Sequence, residues 1–206
     1  SEKVFIMKRL LLILILTFGF QSLTKADDIK DFEIEGMSIG DNALDFFSKN
    51  ILDKNKDYYP SDRKFFRTTI EVDVDENGYS EIQLHIKIED NKYIIYSVSG
   101  IIYYKRSDTK DRCFKKQDQI IKDISSILTN TNQTKPENKL YGLDKTNNST
   151  HRTVYFDFKP DESEYAKVGC VFYGKEWYQK TKWNNHLRIA FTSSEFHYWL
   201  RDEANK

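Results

Sequence analysis

The fold is decided by residues 68–104, TTIEVDVDENGYSEIQLHIKIEDNKYIIYSVSGIIYY. Apolar and polar side chains alternate twice in this stretch, which is typical of β-strands with one buried face. The first alternation stops at Asp75–Gly78, where the Asn-Gly pair favours a tight hairpin turn, and the second runs from Ile82 to Ile88. Tyr93–Tyr104 is apolar on both faces, which predicts a central strand. The stretch therefore predicts a meander of three antiparallel strands.

A second set of three strands is predicted in the last third of the chain. The strands are Val154–Phe158, Tyr165–Tyr173 and Leu187–Phe191. A helix from about Asp111 to Thr129 precedes them, because one apolar stripe recurs there at helical spacing. A last helix follows the capping box at Thr192–Glu195.

The start of the domain predicts one more helix, from Ser38 to about Asp53, capped by Ser38 with Asp41 three residues later. Residues 129–151 are polar and have no period, which predicts a long mobile loop. The order is then helix, three strands, helix, three strands, helix. It predicts an α+β fold with an antiparallel sheet of about six strands in two meanders and helices packed on one face.

The sequence predicts a secretory signal before this domain. Lys8 and Arg9 give it a positive start, Leu10–Leu16 is an apolar run, and small residues follow. We predict that residues 1–26 are a signal peptide, of which residues 1–6 lie upstream of the true start. Retention as an anchor is the alternative, but a bilayer needs about 20 apolar residues. We therefore expect no stable membrane insertion after cleavage.

The mature part, residues 27–206, suits a single domain. The whole chain has 32 basic and 32 acidic residues, and removal of the signal leaves a net charge of about −3. Because there is also no basic block, we expect no nucleic-acid partner. The aromatic content of 15%, with only 3 Pro, indicates a folded domain rather than a disordered one.

Cys113 and Cys170 are the only two cysteines. An exported chain meets an oxidising compartment, where an even number of cysteines favours a disulfide. Cys113 lies on the inward stripe of a predicted helix and Cys170 on the inward face of a predicted strand. We therefore predict a bridge between them. The alternatives are two buried free thiols, or a reactive thiol whose pKa is lowered by the basic residues near Cys113.

The histidines do not have the spacing of metal ligands or of a catalytic pair. They are His85, His151, His186 and His197, and we predict that His85 and His186 face solvent in the middle of strands. No glycine-rich phosphate loop or nucleophile elbow occurs in the sequence. The sequence therefore predicts no catalytic residue, no metal and no cofactor.

The most distinctive segment is WYQKTKWNNH, residues 177–186. Trp177, Tyr178 and Trp183 lie among amides and lysines in a predicted loop, which suits them to stack on a sugar ring or to hold a peptide. The alternative is that the tryptophans close one end of the core. We predict that Trp183, next to the last strand, is buried and that Trp177 is exposed.

Three stretches carry a resemblance to known sequences: DFEIEGMSIGD at 31–41, YIIYSVSG at 93–100 and KWNNHLRI at 182–189. On these stretches the chain resembles a family of uncharacterised exported proteins of Pelagibacter-type marine bacteria, and the resemblance covers essentially its whole length. It implies a periplasmic or secreted protein and assigns no activity.

These observations favour a non-enzymatic periplasmic binding or interaction domain, with a small molecule, a glycan or a protein as ligand. The alternative is a small envelope hydrolase whose site is assembled only in three dimensions. A deep pocket with two facing carboxylates or a His–acid pair would favour the hydrolase. A shallow aromatic surface would favour the binding domain.

Overall fold

The computed structural model describes residues 28–60, 64–72, 78–128 and 131–204. The predicted signal peptide and most of the turn predicted at Asp75–Gly78 lie outside the described residues. Within the described part, no helix is long and apolar enough to cross a membrane.

One antiparallel sheet of nine strands forms the body of the fold. The strands are β1 (Lys56–Tyr58), β2 (Phe65–Glu71), β3 (Glu81–Lys87), β4 (Ile95–Tyr104), β5 (Asn132–Gln133), β6 (Glu137–Leu140), β7 (Thr150–Asp157), β8 (Tyr165–Phe172) and β9 (Asn185–Thr192). Their order is β1-β2-β3-β4-β9-β8-β7-β5, and β6 also pairs with β7. The α-helices of the described residues are α1 (Lys49–Lys54), α2 (Lys110–Ile127), α3 (Lys175–Thr181) and α4 (Ser194–Asp202).

The α+β class and the two predicted meanders are confirmed, but the number of strands is larger than predicted. β2–β4 and β7–β9 are the six predicted strands, and β4 pairs with β9 to join the two meanders. The additional strands β1, β5 and β6 are 3, 2 and 4 residues long. Strands this short show no alternation in the sequence. β5 and β6 lie inside the segment predicted as a loop, and both pair with β7.

The long helix predicted from Ser38 to Asp53 does not form. Gly40 has a φ of +96° and donates its N–H to the carbonyl of Ile95 at 2.9 Å, so the backbone leaves the helical conformation there. What remains is a 3₁₀ turn at Ala43–Asp45 and the short helix α1. The first helical segment is therefore tied to strand β4 and does not pack on the sheet as one long element.

The two longest helices lie on opposite faces of the sheet, so the prediction of helices on one face is wrong. α2 contributes Cys113 to the main core, whereas Phe196 and Trp199 of α4 form a second cluster with Phe65. Neighbouring residues of β2 point to opposite sides, and Phe66 accordingly belongs to the main core. α4 packs on the second face because Phe65 gives it an apolar partner there.

The predicted disulfide is confirmed, and it fastens α2 to β8. Cys113 and Cys170 are bonded, with 6.2 Å between their Cα atoms, and both are fully buried. One helical turn further on, the Nε2 of Gln117 donates to the carbonyls of Arg152 and Val168, each at 2.9 Å. The helix is therefore held on the sheet by a covalent bond and by a polar contact with β7 and β8.

Candidate functional site

The segment predicted as an aromatic loop contains the helix α3. Trp177 and Tyr178 lie in this helix, and Trp183 follows it. The helix ends at Lys182, which has a left-handed φ of 61° and donates its N–H to the carbonyl of Tyr178 at 2.8 Å. This cap turns the chain toward β9 and leaves Trp183 at the corner.

The burial of the two tryptophans is the reverse of the prediction. Trp183 is 47% exposed. Trp177 is half-buried, and its Nε1 has no hydrogen-bond partner among the described residues. The ring of Trp183 lies against that of Trp177, with 6.0 Å between their centroids. The helix turns Trp177 inward, whereas the corner after it leaves Trp183 outside.

Trp183 belongs to a group of rings that we call the aromatic cluster. It consists of Tyr141, Tyr173, Trp177, Trp183 and His186. Tyr173 is its centre, since its ring lies 5.4 Å from Tyr141, 5.8 Å from Trp183 and 6.0 Å from His186. Edge and tilted contacts of this kind are favourable between aromatic rings. Tyr173 and Trp177 therefore support the ring of Trp183 on one side, while Trp183 remains partly exposed to solvent.

A chain of hydrogen bonds fixes the start of α3. The carboxylate of Asp144 accepts from the backbone N–H and the hydroxyl of Ser149 at 3.0 and 2.6 Å, and the Ser149 Oγ accepts from the N–H of Gly174 at 2.8 Å. The bond from the Ser149 hydroxyl contributes most to lowering the pKa of Asp144 to about 2. A Cβ at Gly174 would lie 2.7 Å from the Cβ of Asn148, so only glycine fits there.

Tyr178 holds the helix in place. The guanidinium of Arg106 lies 4.6 Å from the centroid of the Tyr178 ring, and its Nη1 donates to the carbonyl of Tyr173 at 3.3 Å. Of the three predicted ligand-binding residues, Trp183 thus presents the most open ring, while Trp177 supports it and Tyr178 positions the helix.

No protein-family model, curated protein or solved structure matches the chain. The resemblance to an exported marine bacterial family therefore stays a prediction, and the chemistry of the site rests on its own residues.

The histidines have separate surroundings. The Nδ1 of His151 lies 3.1 Å from the Thr153 hydroxyl, and that of His186 lies 3.0 Å from the carbonyl of Asn184. His85 is only 5% exposed, which corrects its predicted solvent position, because Phe196 of α4 stacks on it at 4.2 Å. His186 is half-buried. Within the described ranges, no group of three His, Cys, Asp or Glu side chains could hold a metal ion.

The stability of the protein is expected to depend on pH through His85. Burial, and secondarily the nearby Arg188 and Arg67, lower the pKa of His85 to about 3. In the unfolded chain a histidine takes up its proton near pH 6.5, so acid favours unfolding below that pH. Between pH 6.5 and 5, the unfolding free energy of the wild type should fall by about 1.5 kcal/mol more than that of the His85→Gln variant. Urea unfolding at the two pH values measures this, and a constant difference between the proteins would contradict it.

A cavity of about 570 Å³ lies between α2 and the main-core face of the sheet. Its walls are mostly apolar, and its lining also includes three carboxylates, those of Glu33, Glu35 and Asp123. All three residues are exposed, as ordinary surface acids are. The apolar lining residues are Phe32, Tyr79, Ile102, Ile120, Ile124, Ile127, Ile189 and Phe191.

Proposed function

We propose that the protein is an exported, non-enzymatic binding domain whose ligand is a glycan that stacks on Trp183. The observation that carries this proposal is the 47% exposure of an indole whose ring is supported by Tyr173 and Trp177. Tryptophan and tyrosine are enriched at interaction sites, because each combines a large apolar ring with a polar group.

The surroundings of Trp183 favour a sugar over a purely apolar ligand. A sugar ring has an apolar C–H face that suits the indole face, and hydroxyls that need hydrogen-bond partners. Gln179, Lys182 and Asn184 are exposed residues near Trp183 in the sequence, and their side chains offer both donors and acceptors. Because Trp183 is already held by neighbouring rings, a ligand would lose little affinity to the ordering of this side chain.

The disulfide supports the exported location. Cys113–Cys170 is a bond of the kind that persists in oxidising compartments and is rare in the cytosol. We therefore infer that the protein works in the periplasm or outside the cell.

Titration with neutral oligosaccharides tests the proposal. We expect at least one of cellohexaose, chitohexaose and mannohexaose to bind, and Trp183→Ala to weaken that binding at least about tenfold, which corresponds to about 1.4 kcal/mol. Trp183→Phe should keep part of the affinity because it keeps an aromatic face. Isothermal titration calorimetry is the suitable measurement, since Trp183→Ala removes the one of the 3 tryptophans whose fluorescence would report binding at this site.

Tyr58→Ala is the matched control. Tyr58 is 48% exposed, close to the exposure of Trp183, and lies in β1 at an edge of the sheet. The Tyr58→Ala variant should bind the oligosaccharide with the affinity of the wild type. Unchanged affinity in Trp183→Ala, or an equal loss in Tyr58→Ala, would contradict the proposed site.

A further inference from the structure

The face of the sheet on which α4 packs also carries charged and polar side chains. We call this group the polar face, and its members are Arg67, Gln83, His85, Lys167 and Arg188. The side chains of these residues lie on the opposite side of their strands from the main core, as the alternation along each strand requires.

The two cations at the centre of the polar face have small residues as their neighbours on the adjacent strands. Lys167 pairs with Ala190 across the strands, and Arg188 pairs with Gly169. A Cβ on Gly169 would lie 3.7 Å from the Cε of Lys167, so the lysine stem lies over this glycine. Ser99, on the other side of Ala190, is also small and buried. Lys167 and Arg188 therefore lie next to each other above a floor of small residues.

The two central cations of this face, Lys167 and Arg188, have no carboxylate partner within the described part of the chain, and the Lys167 ammonium lies 5.8 Å from the centroid of the Tyr155 ring. No ion pair or hydrogen bond of the Lys167 ammonium or the Arg188 guanidinium is found there. Burial and the neighbouring Arg188 lower the pKa of Lys167 to about 8. Asp57 pairs with Arg67, and Glu81 accepts a hydrogen bond from the Tyr103 hydroxyl, so neither carboxylate pairs with Lys167 or Arg188.

A second observation also points to a ligand here. Gln83 and His85 are 7% and 5% exposed, yet Gln83 Oε1 and His85 Nδ1 have no hydrogen-bond partner among the described residues. The same holds for the Nε of Arg67. Buried polar atoms without partners are uncommon in folded proteins, and a bound water, ion or ligand group often satisfies them. Three of them occur on this one face.

We infer that the polar face binds the carboxylate and a neighbouring hydroxyl of a uronic acid residue in a glycan. Lys167 and Arg188 supply the charge-assisted donors that a carboxylate requires, and Arg188 can use two of its N–H groups at once. Gln83 Oε1, which has no partner among the described residues, suits a sugar hydroxyl as its donor, and an anion such as sulfate has no hydroxyl to donate.

The polar face is continuous with the aromatic cluster, so this inference rests on the proposed function and names its ligand class. His186 of the cluster and Arg188 lie two residues apart in β9 and therefore share a face, at a spacing of about 7 Å. The cluster continues from His186 through Tyr173 to Trp183. A short acidic oligosaccharide can therefore contact Trp183 and Arg188 at the same time.

The test compares trigalacturonic acid with its methyl ester, which has the same sugar rings and no charge. Calorimetry at low ionic strength should show the acid binding at least about tenfold more tightly than the ester. Arg188→Gln and Lys167→Met should each remove most of this preference, because they weaken the binding of the acid much more than that of the ester. Thermal unfolding checks that the variants are folded, and Lys167→Met carries the test if Arg188→Gln is not.

Lys122→Met is the control, because it removes one exposed positive charge from α2, on the other side of the sheet. It should keep the preference for the acid. Equal affinities for acid and ester, no binding of either, or an unchanged preference in both polar-face variants would overturn the inference. If acid and ester bind alike and Trp183→Ala weakens both, the glycan site at Trp183 stands and the uronic acid site is wrong.

Discussion

Trp199→Ala is expected to lower the free energy of unfolding by about 3–5 kcal/mol. Trp199 is 1% exposed and lies in the second cluster, where its ring is 4.8 Å from Tyr59, 5.0 Å from Phe65 and 5.7 Å from Phe196. Alanine would leave a cavity that these rings fill only in part, because they are held by the sheet and by α4. Urea unfolding followed by circular dichroism measures the loss.

Trp183→Ala is the matched comparison, because it removes the same side chain from an exposed position. It should cost less than about 1 kcal/mol of unfolding free energy. The two variants thus separate a tryptophan that stabilises the fold from one that is available for binding. A loss of several kcal/mol in Trp183→Ala, similar to that in Trp199→Ala, would mean that the exposed ring is part of the core.

Removal of the disulfide is expected to cost about 4 kcal/mol of unfolding free energy. Cys113 and Cys170 are 57 positions apart, and the bond restricts a loop of that length in the unfolded chain. The suitable variant is the double substitution of Cys113→Ala and Cys170→Ala, since both positions are fully buried and would not accept a hydroxyl. α2 should also loosen from β8, which amide hydrogen exchange would detect as faster exchange in α2.

Reduction of the wild type provides the control for this substitution. The reduced protein and the double alanine variant should unfold at the same lower urea concentration, while the oxidised wild type unfolds at a higher one. If all three unfold together, the bond contributes nothing to stability. If only the alanine variant unfolds at a lower urea concentration, its loss of stability comes from the missing side-chain volume and not from the missing bond.

The strands and α2 could be predicted because each has a repeating pattern. Ile82 to Ile88 alternates with a period of two, and Cys113, Gln117 and Ile124 recur on one helical stripe. The cysteine pair followed from the same two patterns, since both placed a cysteine on an inward face. These features depend on local periodicity, which a single sequence displays directly.

The candidate site could be predicted only in part, because long-range contacts form it. Trp177 and Trp183 stand out in the sequence, but their burial depends on α3, whose start is fixed by Ser149. Tyr141 joins the aromatic cluster from a polar segment without a period. The start of α3 at Gly174 depends on contacts with Ser149 and Asn148, which are distant in the sequence, so the sequence alone predicts a loop there.

The polar face could not be predicted for a different reason. Gln83 and His85 occupy the polar positions of an alternating strand, which in sequence look the same whether they face water or a covered surface. Only the packing of α4 against Phe65, on the same side of the sheet, shows that this face is partly covered. Periodicity shows which residues share a face of a strand, but it does not show what packs against that face.

The most direct test of glycan binding at Trp183 is the response of the three tryptophans to a ligand. The chain has 3 Trp, so a heteronuclear NMR spectrum contains three indole N–H signals, which single Trp→Phe variants assign. Addition of the oligosaccharide that binds most tightly should shift the signals of Trp183 and Trp177 and leave that of the buried Trp199 in place. A saturating ligand that shifts the Trp199 signal and leaves the Trp183 signal unmoved would contradict the proposed function.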